Sequence, residues 1–315
     1  MTQILMRLAT VRAFPSPREF VFRPWSLFRR RYDYVFLNWV ESLAFAGPNG
    51  DISLARLALL RLYLFACRVV STKLVWVRHN NHPHHVKTEN GKATAKALLD
   101  HIESTADIVI THSPLEVNGG KRFYVPHPLY ANDIAPTNPV PYKDYFFVFG
   151  HIAPYKKLEE AIRLLPDQVS LVIAGPVKDK AYFEKCQSLA ANKSNVLLMP
   201  GFLDSPTAAR IASDSHGLLV LNADTDMVVS GSYIYALSLS IPVFAVRTPF
   251  IQWLSADERL SGIHAFDNIS TLISALSSPT LLSNRPDRKA VESLFGDEIT
   301  LEKLKLAMGI SSSTR

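Results

Sequence analysis

The sequence predicts an α/β protein made of two doubly wound domains. In the C-terminal half, short apolar segments alternate with amphipathic segments of helical length. This alternation is typical of a parallel sheet covered by helices on both faces. A shorter series of the same kind precedes it. Between the two series lies a proline-rich run, Pro128–Pro141, with little apolar content, which indicates a linker between domains.

The N-terminal half contains the weaker series of elements. A Gly-Pro-Asn-Gly turn leads into an amphipathic helix at about 53–70, for which Asp51 or Ser53 is the expected N-cap. A second helix is predicted at about 94–105. The strands are predicted at Tyr32–Leu37, Leu74–Val77, Asp107–Thr111 and, briefly, Phe123–Pro128. The opening segment MTQILMRLATVRAF shows no clear strand and no Gly-rich turn.

The C-terminal half alternates regularly. Strands are expected at about 145–150, 169–175, 195–199, 217–222 and 242–246, and helices at about 157–165, 179–191, 205–214, 231–239 and 269–277. The last segment, Arg288–Met308, has a helical pattern with no strand after it. These patterns predict an N-terminal domain over residues 1–135, a C-terminal domain over 141–287, and a tail at 288–315 that packs back on the first domain.

The composition is that of a folded protein. Of 315 residues, 48% are hydrophobic and 20% are charged, which differs from the composition of a disordered chain. Cys67 and Cys186 lie far apart in apolar helical segments, so we expect two buried, reduced thiols. The most apolar segment, Ser53–Val70, contains three arginines, and a membrane span is therefore not expected.

Positive charge is concentrated at the N-terminus. The formal net charge is +6, and residues 1–31 contain seven arginines, interleaved with aromatic side chains, against the single acidic residue Glu19. Arginines where the apolar part of a secretory signal would lie argue against such a signal. Basic residues mixed with aromatics suit the surface of an anionic membrane. A nucleic-acid contact would have a similar composition, but no nucleic-acid recognition motif occurs elsewhere. We therefore expect the membrane, and a solvated face with no partner is the alternative.

One segment of the C-terminal half carries polar residues directly after a strand. FVFGHIAPYKK, at 147–157, is a predicted strand that breaks at Gly150 into a loop containing His151 and Lys156. In doubly wound sheets, ligands lie at the carboxyl ends of the strands. Lys156 is therefore the best candidate cation for an anionic ligand, and His151 is a candidate hydrogen-bond donor. A solvated lysine and a capping histidine are the alternatives.

A second segment opens a helix with small hydroxyl residues. DTDMVVSGSYIYALSLSIPV, at 224–243, is a loop that enters a helix at Ser230, Gly231 and Ser232 and then runs into a strand. Free N–H groups and the positive dipole end of a helix bind phosphate, and a glycine allows close approach to the backbone. The two segments together predict a site for the diphosphate of a nucleotide sugar, although a plain N-cap would also explain the serines.

Four segments, in order along the chain, carry a resemblance to a group of enzymes. FLNWVES resembles the HWPE motif and WVRHNNHPHH the WTVHNxxPHE motif of bacterial exopolysaccharide glycosyltransferases. FVFGHIAPYKKLEEAI resembles the phosphate loop of GT-B glycosyltransferases, and VSGSYIYALSLSIPVFA is similar to the SGS segment of the bacterial group. The similarity extends over about 33–276, and the group includes mannosyltransferases like that of xanthan assembly. It implies the GT-B fold, in which two Rossmann-like domains face a cleft.

The sequence departs from this pattern at several positions. Retaining enzymes of the related large family carry two glutamates eight positions apart around the helix, where this chain has Met227 and Tyr235. His151 replaces the usual arginine of the phosphate loop, and Ser240 replaces the glycine before the Pro-Val strand. Loss of the glutamate pair removes the signature of a retaining enzyme without establishing inversion.

Candidate catalytic residues follow the strands of the N-terminal domain. Glu41 stands near Trp39 after the first strand, and a carboxylate beside an aromatic ring has the features of a general base. A helix cap or surface role is the alternative for Glu41. His79 and Asn80 follow the second strand, and they are expected to line the cleft and to contact donor or acceptor. His84 is a further candidate for the cleft, with a structural role as an equal alternative.

No metal is expected. The histidines at 79–85 lack the helical spacing of a catalytic zinc pair and have no cysteine nearby. The resemblance also implies metal-independent transfer, in which Lys156 and the helix dipole offset the charge of the departing diphosphate. It implies no cofactor other than the nucleotide sugar as co-substrate.

The resemblance implies a hexosyltransferase that moves a sugar from a nucleotide-sugar donor to a lipid-linked oligosaccharide. The expected setting is the synthesis of a bacterial surface polysaccharide (exopolysaccharide, capsule or O-antigen) by a peripheral protein on the inner face of the cytoplasmic membrane. No nucleic-acid partner is expected. Two alternatives stay open: a GT-B-like sugar-nucleotide epimerase, and a non-catalytic nucleotide-sugar-binding subunit, for which the missing glutamate pair is the motivation.

Overall fold

A computed structural model describes residues 1–23, 25, 31–46, 51–79, 89–131, 133–222, 229–278 and 284–310. The chain divides into two compact units. Unit 1 is formed mainly by Met1–His127 and Asp297–Arg315, and unit 2 mainly by Pro128–Thr225 and Ser230–Gly296. Each unit has its own parallel sheet and its own buried core.

The described residues form strands and helices that alternate over most of the chain. The strands are β1 (Tyr32–Asn38), β2 (Phe45–Ala46), β3 (Asp51–Ile52), β4 (Ser71–Arg78), β5 (Ile108–Thr111), β6 (Arg122–Tyr124), β7 (Phe146–Phe149), β8 (Leu171–Gly175), β9 (Val196–Pro200), β10 (Gly217–Val220), β11 (Val243–Val246) and β12 (Ile263–Phe266). The helices are α1 (Thr2–Met6), α2 (Pro17–Phe22), α3 (Leu54–Val70), α4 (Glu89–Thr105), α5 (Leu158–Leu164), α6 (Lys180–Ala190), α7 (Ser205–Asp214), α8 (Gly231–Ser238), α9 (Pro249–Ser255), α10 (Ile269–Ala275), α11 (Arg288–Phe295) and α12 (Asp297–Met308).

Unit 1 is built on a four-stranded sheet in the order β1-β4-β5-β6, with every pairing parallel. The central strand β4 is buried on both faces. Leu74 and Trp76 pack into the core that contains α3 and α4, whereas Val75 and Val77 pack into the core that contains α1 and α12. Successive side chains of a strand point to opposite faces, which explains why β4 is a continuous apolar run.

Unit 2 is built on a six-stranded parallel sheet in the order β12-β11-β10-β7-β8-β9. The chain enters at β7 and adds β8 and β9 on one side, then β10, β11 and β12 on the other. The strand order therefore reverses between β7 and β10. Ligands of doubly wound sheets bind at the carboxyl ends of the strands beside such a reversal.

The predicted α/β class with two parallel sheets is confirmed, and the unit 2 sheet is doubly wound. In unit 2 all five predicted strands and all five predicted helices are present, each within a few residues of its expected bounds. The sequence did not predict α9 or β12. β12 is only four residues long, and His264 interrupts its apolar pattern, so periodicity alone could not distinguish it from a loop.

The C-terminal tail consists of two helices, not one. Gly296 separates α11, which belongs to unit 2, from α12, which belongs to unit 1. A Cβ atom at Gly296 would lie 2.4 Å from the carbonyl oxygen of Glu292, so the close turn after α11 requires a glycine. The end of α12 is attached to β1, because the Tyr34 hydroxyl donates to the carbonyl of Met308 at 2.9 Å.

The proline-rich run lies along unit 2. The amide of Ala135 donates to the carbonyl of Pro206 at 3.0 Å, and Arg210 Nε donates to the carbonyl of Ala135 at 2.6 Å. Asn138 Nδ2 donates to the Tyr145 hydroxyl at 2.8 Å. These bonds attach the run to unit 2, so it is not a free spacer.

The N-terminal segment forms two short helices. Ile4 and Leu5 bury one side of α1, and a capping box of Ser16 and Glu19 begins α2. Arg7 pairs with Glu298 of α12 at 2.7 Å, so one of the seven N-terminal arginines is engaged within unit 1. Among the described residues, no helix is long and apolar enough to cross a membrane.

Two leucines of α12 test its attachment to the unit 1 sheet. Leu304 is fully buried and Leu306 is exposed. Leu304→Ala should lower the free energy of unfolding by about 2–5 kcal/mol, because it leaves a cavity against the sheet. Leu306→Ala, on the same helix, should change it by less than about 0.5 kcal/mol. Urea denaturation followed by circular dichroism measures both, and equal effects would show that α12 is not packed as described.

Candidate active site

The loop after β7 and the start of α8 meet at one backbone carbonyl in unit 2. Lys156 Nζ donates to the carbonyl oxygen of Phe149 at 2.6 Å, and Ser232 Oγ donates to the same oxygen at 3.0 Å. Phe149 is the last residue of β7. We call Phe149, Gly150, Lys156 and Ser232 the strand-end cradle. It lies at the carboxyl end of β7, the strand beside which the order of the sheet reverses.

Lys156 is a buried cation. It ends the 3-10 turn Pro154–Lys156 and is 8% exposed. Burial lowers the pKa of its ammonium group to about 8, because a charged group is less stable away from water. The ammonium group is therefore still protonated at neutral pH. It donates one hydrogen bond to Phe149, and an ammonium group has three N–H donors.

Two glycines make the cradle possible. Gly150 has φ of +106°, and a Cβ atom there would lie 2.9 Å from Lys156 Nζ and 3.7 Å from Ser232 Oγ. Gly175, at the end of β8, has φ of +144°, and a Cβ there would lie 2.2 Å from the carbonyl oxygen of Gly150. A side chain at Gly150 would thus occupy the space above the ammonium group, and one at Gly175 would displace the loop. Gly150 was predicted from the sequence, whereas the role of Gly175 is visible only in the structure.

The start of α8 adds donors beside the lysine. Ser230 is the N-cap residue, and its side chain makes no capping hydrogen bond. The first N–H groups of a helix have no partner within the helix, and they carry the positive end of its dipole. Among the residues that the structure describes, a Cβ atom at Gly231 would meet the Tyr130 hydroxyl alone, at 3.6 Å, so these residues leave room for close approach to the backbone at Gly231.

A hydrogen-bond donor, His151, and a second cation, Lys178, lie near the cradle. His151 is exposed, and the pKa of its imidazole is lowered by partial burial and by the charges of Lys178 and Lys156. His151 is therefore neutral at neutral pH and can act as a hydrogen-bond donor. Lys178, which the sequence analysis did not single out, is thus a second cation beside this loop.

An aromatic wall adjoins the cradle where the resemblance would place a glutamate. The ring of Tyr235 lies 4.9 Å from that of Phe149 and 6.0 Å from that of Tyr130. Burial raises the pKa of the Tyr235 hydroxyl, and this hydroxyl has no hydrogen-bond partner among the described residues. Met227, the other position of the missing glutamate pair, lies outside the described residues.

In unit 1, four aromatic or imidazole rings stand at the carboxyl ends of successive strands. Trp39 stacks on His79 with ring centroids 4.1 Å apart and an interplanar angle of 5°. His79 lies 5.3 Å from His112, and His112 lies 5.0 Å from His127. We call these residues the ring row. Strands β1, β4 and β5 end just before the first three, and His127 follows β6 by three residues.

Hydrogen bonds orient two histidines of the row. His112 Nδ1 donates to the carbonyl of Val125 at 2.9 Å, and His79 Nε2 donates to Asn38 Oδ1 at 3.3 Å, since both oxygens are acceptors. Burial lowers the pKa of His79 to about 4 and that of His112 to about 3. Both imidazoles are therefore neutral at neutral pH, each with one unprotonated ring nitrogen.

Glu41 lies in the 3-10 turn Val40–Ala44 that follows β1. Its side chain is buried, and burial raises the pKa of the carboxyl group. Its Oε2 atom has no hydrogen-bond partner among the described residues. Glu41 does not cap α3, because the side chain of Ser53 accepts from the amide of Arg56 at that position. Trp39 stacks on His79, as described above.

The structure groups the predicted residues within each unit. Gly150, Lys156 and Ser232 meet at the cradle, with His151, Ser230 and Gly231 adjacent in the chain. Trp39 and His79 meet in the ring row, and Glu41 lies in the next turn. Asn80 and His84 lie outside the described residues. His112 and His127 were missed, although His112 directly follows a predicted strand and His127 lies at the end of another.

The described residues contain no group of three histidine, cysteine, aspartate or glutamate side chains that could hold a metal ion. The histidines at 82, 84 and 85 lie outside these residues. Cys67 and Cys186 are both buried and unpaired, in agreement with the prediction of two reduced thiols.

No protein-family model matches the sequence, and no curated protein matches it either. Solved structures do match. One is TarM of S. aureus, a mutant in complex with Fondaparinux, alpha-GlcNAc-glycerol and UDP, with a TM-score of 0.57 and 15% identity over 78% of this chain and 53% of that chain. The chain spans about half the length of the TarM structures that it matches.

Two further structures are similar over more of the chain. HepE from Anabaena, in complex with UDP and glucose, has a TM-score of 0.60 and 13% identity over 88% of this chain and 78% of that chain. The pneumococcal O-GlcNAc transferase GtfA, in complex with UDP and GlcNAc, has a TM-score of 0.60 and 12% identity over 94% of this chain and 61% of that chain. These similarities establish the fold class, that of GT-B glycosyltransferases. The finer resemblance to the xanthan-type group stays a prediction.

The buried His112 should make the protein less stable in acid. Its folded pKa is about 3, whereas an exposed histidine titrates near ~6.5. The folded state therefore binds fewer protons between these values, so the free energy of unfolding falls as the pH decreases from about 6.5. His112→Asn keeps a donor for the Val125 carbonyl but cannot titrate. Urea denaturation at several pH values should show a shallower decrease in this variant than in the wild type, and parallel curves would contradict the assignment.

Proposed function

We propose that the chain is a glycosyltransferase that moves a sugar from a nucleotide-sugar donor to a hydroxyl acceptor. The observation that carries this proposal is the strand-end cradle at the reversal of the unit 2 sheet. There, a buried ammonium group and the start of α8 converge over a glycine. These groups suit the diphosphate of a nucleotide sugar, because N–H donors at a helix start and a lysine both bind phosphate.

Each part of the cradle has a role in the proposed reaction. When the bond between sugar and diphosphate breaks, negative charge develops on the departing phosphate. Lys156 stabilises this charge at short range, and the N–H groups of Gly231 and Ser232, which have no partner within the helix, add further donors. Gly150 leaves room for the phosphate above the ammonium group. The proposed transfer requires no metal ion and no cofactor, because these groups supply the positive charge.

UDP-sugars are the first donors to test. The similar structures of TarM, HepE and GtfA each contain UDP, and the cradle occupies the strand ends at which doubly wound folds bind nucleotides. A panel of UDP-, GDP- and dTDP-sugars, screened by thermal unfolding, tests the donor. A ligand at 100 times its dissociation constant adds ~2.7 kcal/mol to stability, and absence of any shift across the panel would contradict a nucleotide-sugar site.

Glu41 and His79 are the proposed catalytic residues. Glu41 has a raised pKa, which strengthens a carboxylate as a base once it is deprotonated. The resemblance of FLNWVES to the HWPE motif supports it further. His79 is neutral at neutral pH, and its bond to Asn38 leaves Nδ1 unprotonated, so it could accept a proton or contact a sugar hydroxyl.

The proposed acceptor is a lipid-linked oligosaccharide used in the synthesis of a surface polysaccharide. The bacterial motifs support it, as does the arginine-rich N-terminus, which suits a peripheral protein on the inner face of the cytoplasmic membrane. Trp39, half exposed and stacked on His79, offers a flat apolar surface on which a sugar ring could pack. Asn80 and His84 are proposed acceptor contacts on the resemblance alone.

A non-catalytic nucleotide-sugar-binding subunit is the second candidate. The observation that favours it is Tyr235, an aromatic ring at a position where related retaining enzymes carry a glutamate. Transfer and hydrolysis assays on any nucleotide sugar that stabilises the protein distinguish the two. Binding without turnover would favour the subunit. Conversion of the nucleotide sugar, or of the sugar released from it, into an epimer would favour the epimerase alternative.

Removal of the Lys156 charge should weaken nucleotide binding. Lys156→Met should lower affinity for UDP by about 10- to 150-fold, which corresponds to ~1.5–3 kcal/mol for a charge-assisted hydrogen bond. Because the lysine pKa is about 8, the wild-type affinity should also fall as the pH rises above that value, and the variant should lack this dependence. Isothermal titration calorimetry at several pH values measures both effects.

The neighbouring Lys157 provides the control. It is exposed, with φ of +50°, a conformation that asparagine tolerates. Lys157→Asn removes the same charge from the adjacent position and should leave the affinity within about twofold, as expected for a screened surface charge. Equal losses in the two variants would show that only the general positive field matters and that Lys156 makes no specific contact.

Glu41→Gln should affect turnover selectively. A base acts on the acceptor hydroxyl, so kcat should fall by ~10²–10⁴ while UDP affinity and thermal stability remain near those of the wild type. His79→Gln is the paired variant. If it alone shows the selective loss, the base is His79; full activity in Glu41→Gln would leave Glu41 a structural residue.

A further inference from the structure

Helix α3 has apolar residues on two opposite sides. One side packs into the core of unit 1 through six buried residues: Leu60, Tyr63, Leu64, Ala66, Cys67 and Val70. The other side exposes Leu54, Ala58, Leu62, Phe65 and Val69. Spacings of three and four residues place this second set in one stripe along the helix. We call it the outer stripe.

The outer stripe is too apolar for an ordinary solvent-facing helix surface. Leu62 is 55% exposed and Phe65 is 65% exposed, and Leu54 and Val69 are also exposed. A surface helix of a soluble domain normally carries polar residues on the side opposite the core. Single exposed apolar residues are common, but a continuous stripe over the length of a helix indicates a binding surface.

Arginines border the outer stripe and no acidic residue interrupts it. Arg61 and Arg68 are exposed, and the helical period of 3.6 residues places both at one edge of the stripe. Arg56 lies on the side toward the core, where its Nη1 atom donates to the carbonyl oxygen of Phe45 at 2.6 Å. Leu54–Val70 contains no aspartate or glutamate. Arg68 pairs with Asp107 at 3.2 Å. Arg61, by contrast, forms no ion pair with the described residues and stands beside Leu62. An apolar stripe bordered by arginines is the pattern of a helix that lies in the headgroup region of a membrane, where long basic side chains extend toward the phosphates.

A second exposed apolar group is attached beside α3. Phe20 of α2 is buried against Tyr63, with ring centroids 5.8 Å apart, and the Tyr63 hydroxyl donates to the carbonyl of Pro15 at 2.9 Å. These contacts hold α2 against α3. The other side of α2 exposes Val21 and Phe22. The apolar exposure thus involves two helices that are packed together.

We propose that the outer stripe of α3 is a docking surface for an anionic lipid bilayer, on which the helix lies parallel to the membrane plane. The charge pattern selects this occupant, because arginines with no acidic neighbours on the helix complement acidic phospholipid headgroups. The stripe supplies the apolar groups that enter the boundary of the acyl chains. The outer stripe itself lies outside the arginine-rich segment at 1–31, although α2 of that segment packs beside it. The proposal does not rest on the proposed glycosyl transfer.

Flotation of the full chain with lipid vesicles tests the proposal. The probes are vesicles of phosphatidylcholine alone and vesicles of equimolar phosphatidylcholine and phosphatidylglycerol. The wild type should float with the anionic vesicles. Leu62→Ser combined with Phe65→Ser should lower the partition coefficient by at least about tenfold, which corresponds to ~1.4 kcal/mol. Both positions are exposed, so thermal unfolding should remain close to that of the wild type.

A matched control variant removes the same residue types elsewhere. Leu115 is 51% exposed and Phe202 is 86% exposed, and neither lies on α3. Leu115→Ser combined with Phe202→Ser should keep the partition coefficient within about twofold of the wild type. Arg61→Gln should lower binding to anionic vesicles by about fivefold, as expected for one cation near the surface, and should leave binding to phosphatidylcholine unchanged.

Three results would overturn the proposal. The first is absence of wild-type binding to anionic vesicles. The second is undiminished binding of the Leu62 and Phe65 variant, which would place the contact elsewhere. The third is a variant that still binds vesicles but no longer self-associates, as measured by analytical ultracentrifugation. This result would make the outer stripe an interface between copies of the chain.

Discussion

The convergence of Lys156 and Ser232 on the carbonyl of Phe149 is the interaction on which the candidate site depends. Hydrogen bonds from a buried ammonium group and a helix-start hydroxyl both end at the last residue of β7. They couple the loop after β7 to the start of α8, two elements more than seventy residues apart in sequence. Gly150 follows β7 and Gly175 ends β8. Because neither residue has a side chain, the ends of β7 and β8 can approach closely enough for Lys156 and Ser232 to meet at Phe149.

Unit 1 presents a different chemical surface at its own strand ends. The cradle holds a cation and helix-start donors, whereas the ring row holds Trp39 and three imidazole rings, of which His79 and His112 are neutral. Glu41 lies in the adjoining turn. Desolvation produces both states: it lowers the pKa of His79 and His112 enough to remove their charge, but that of Lys156 only to about 8, which leaves the charge in place. The site chemistry thus follows from burial as much as from residue type.

Helix α3 connects the core of unit 1 with its surface. Its inner side is needed for folding, since Leu60, Leu64 and Cys67 belong to the main core. The outer stripe is not part of the core formed by the described residues, and Leu62 and Phe65 are exposed, so both can serve another contact. Arg61 and Arg68, at the edge of the stripe, supply positive charge for the proposed contact at the membrane surface.

The sequence by itself determined the α/β class and nearly all elements of unit 2, because the apolar periods there are regular and the turns carry Gly and Pro. It also identified Gly150, Lys156 and Ser232 from their places at strand and helix ends. It could not show that Gly175 must be a glycine, that Lys156 and not Lys157 is buried, or that His79 and His112 are neighbours. Those facts depend on which strands lie side by side, and strand order is decided by long-range packing that no local pattern encodes.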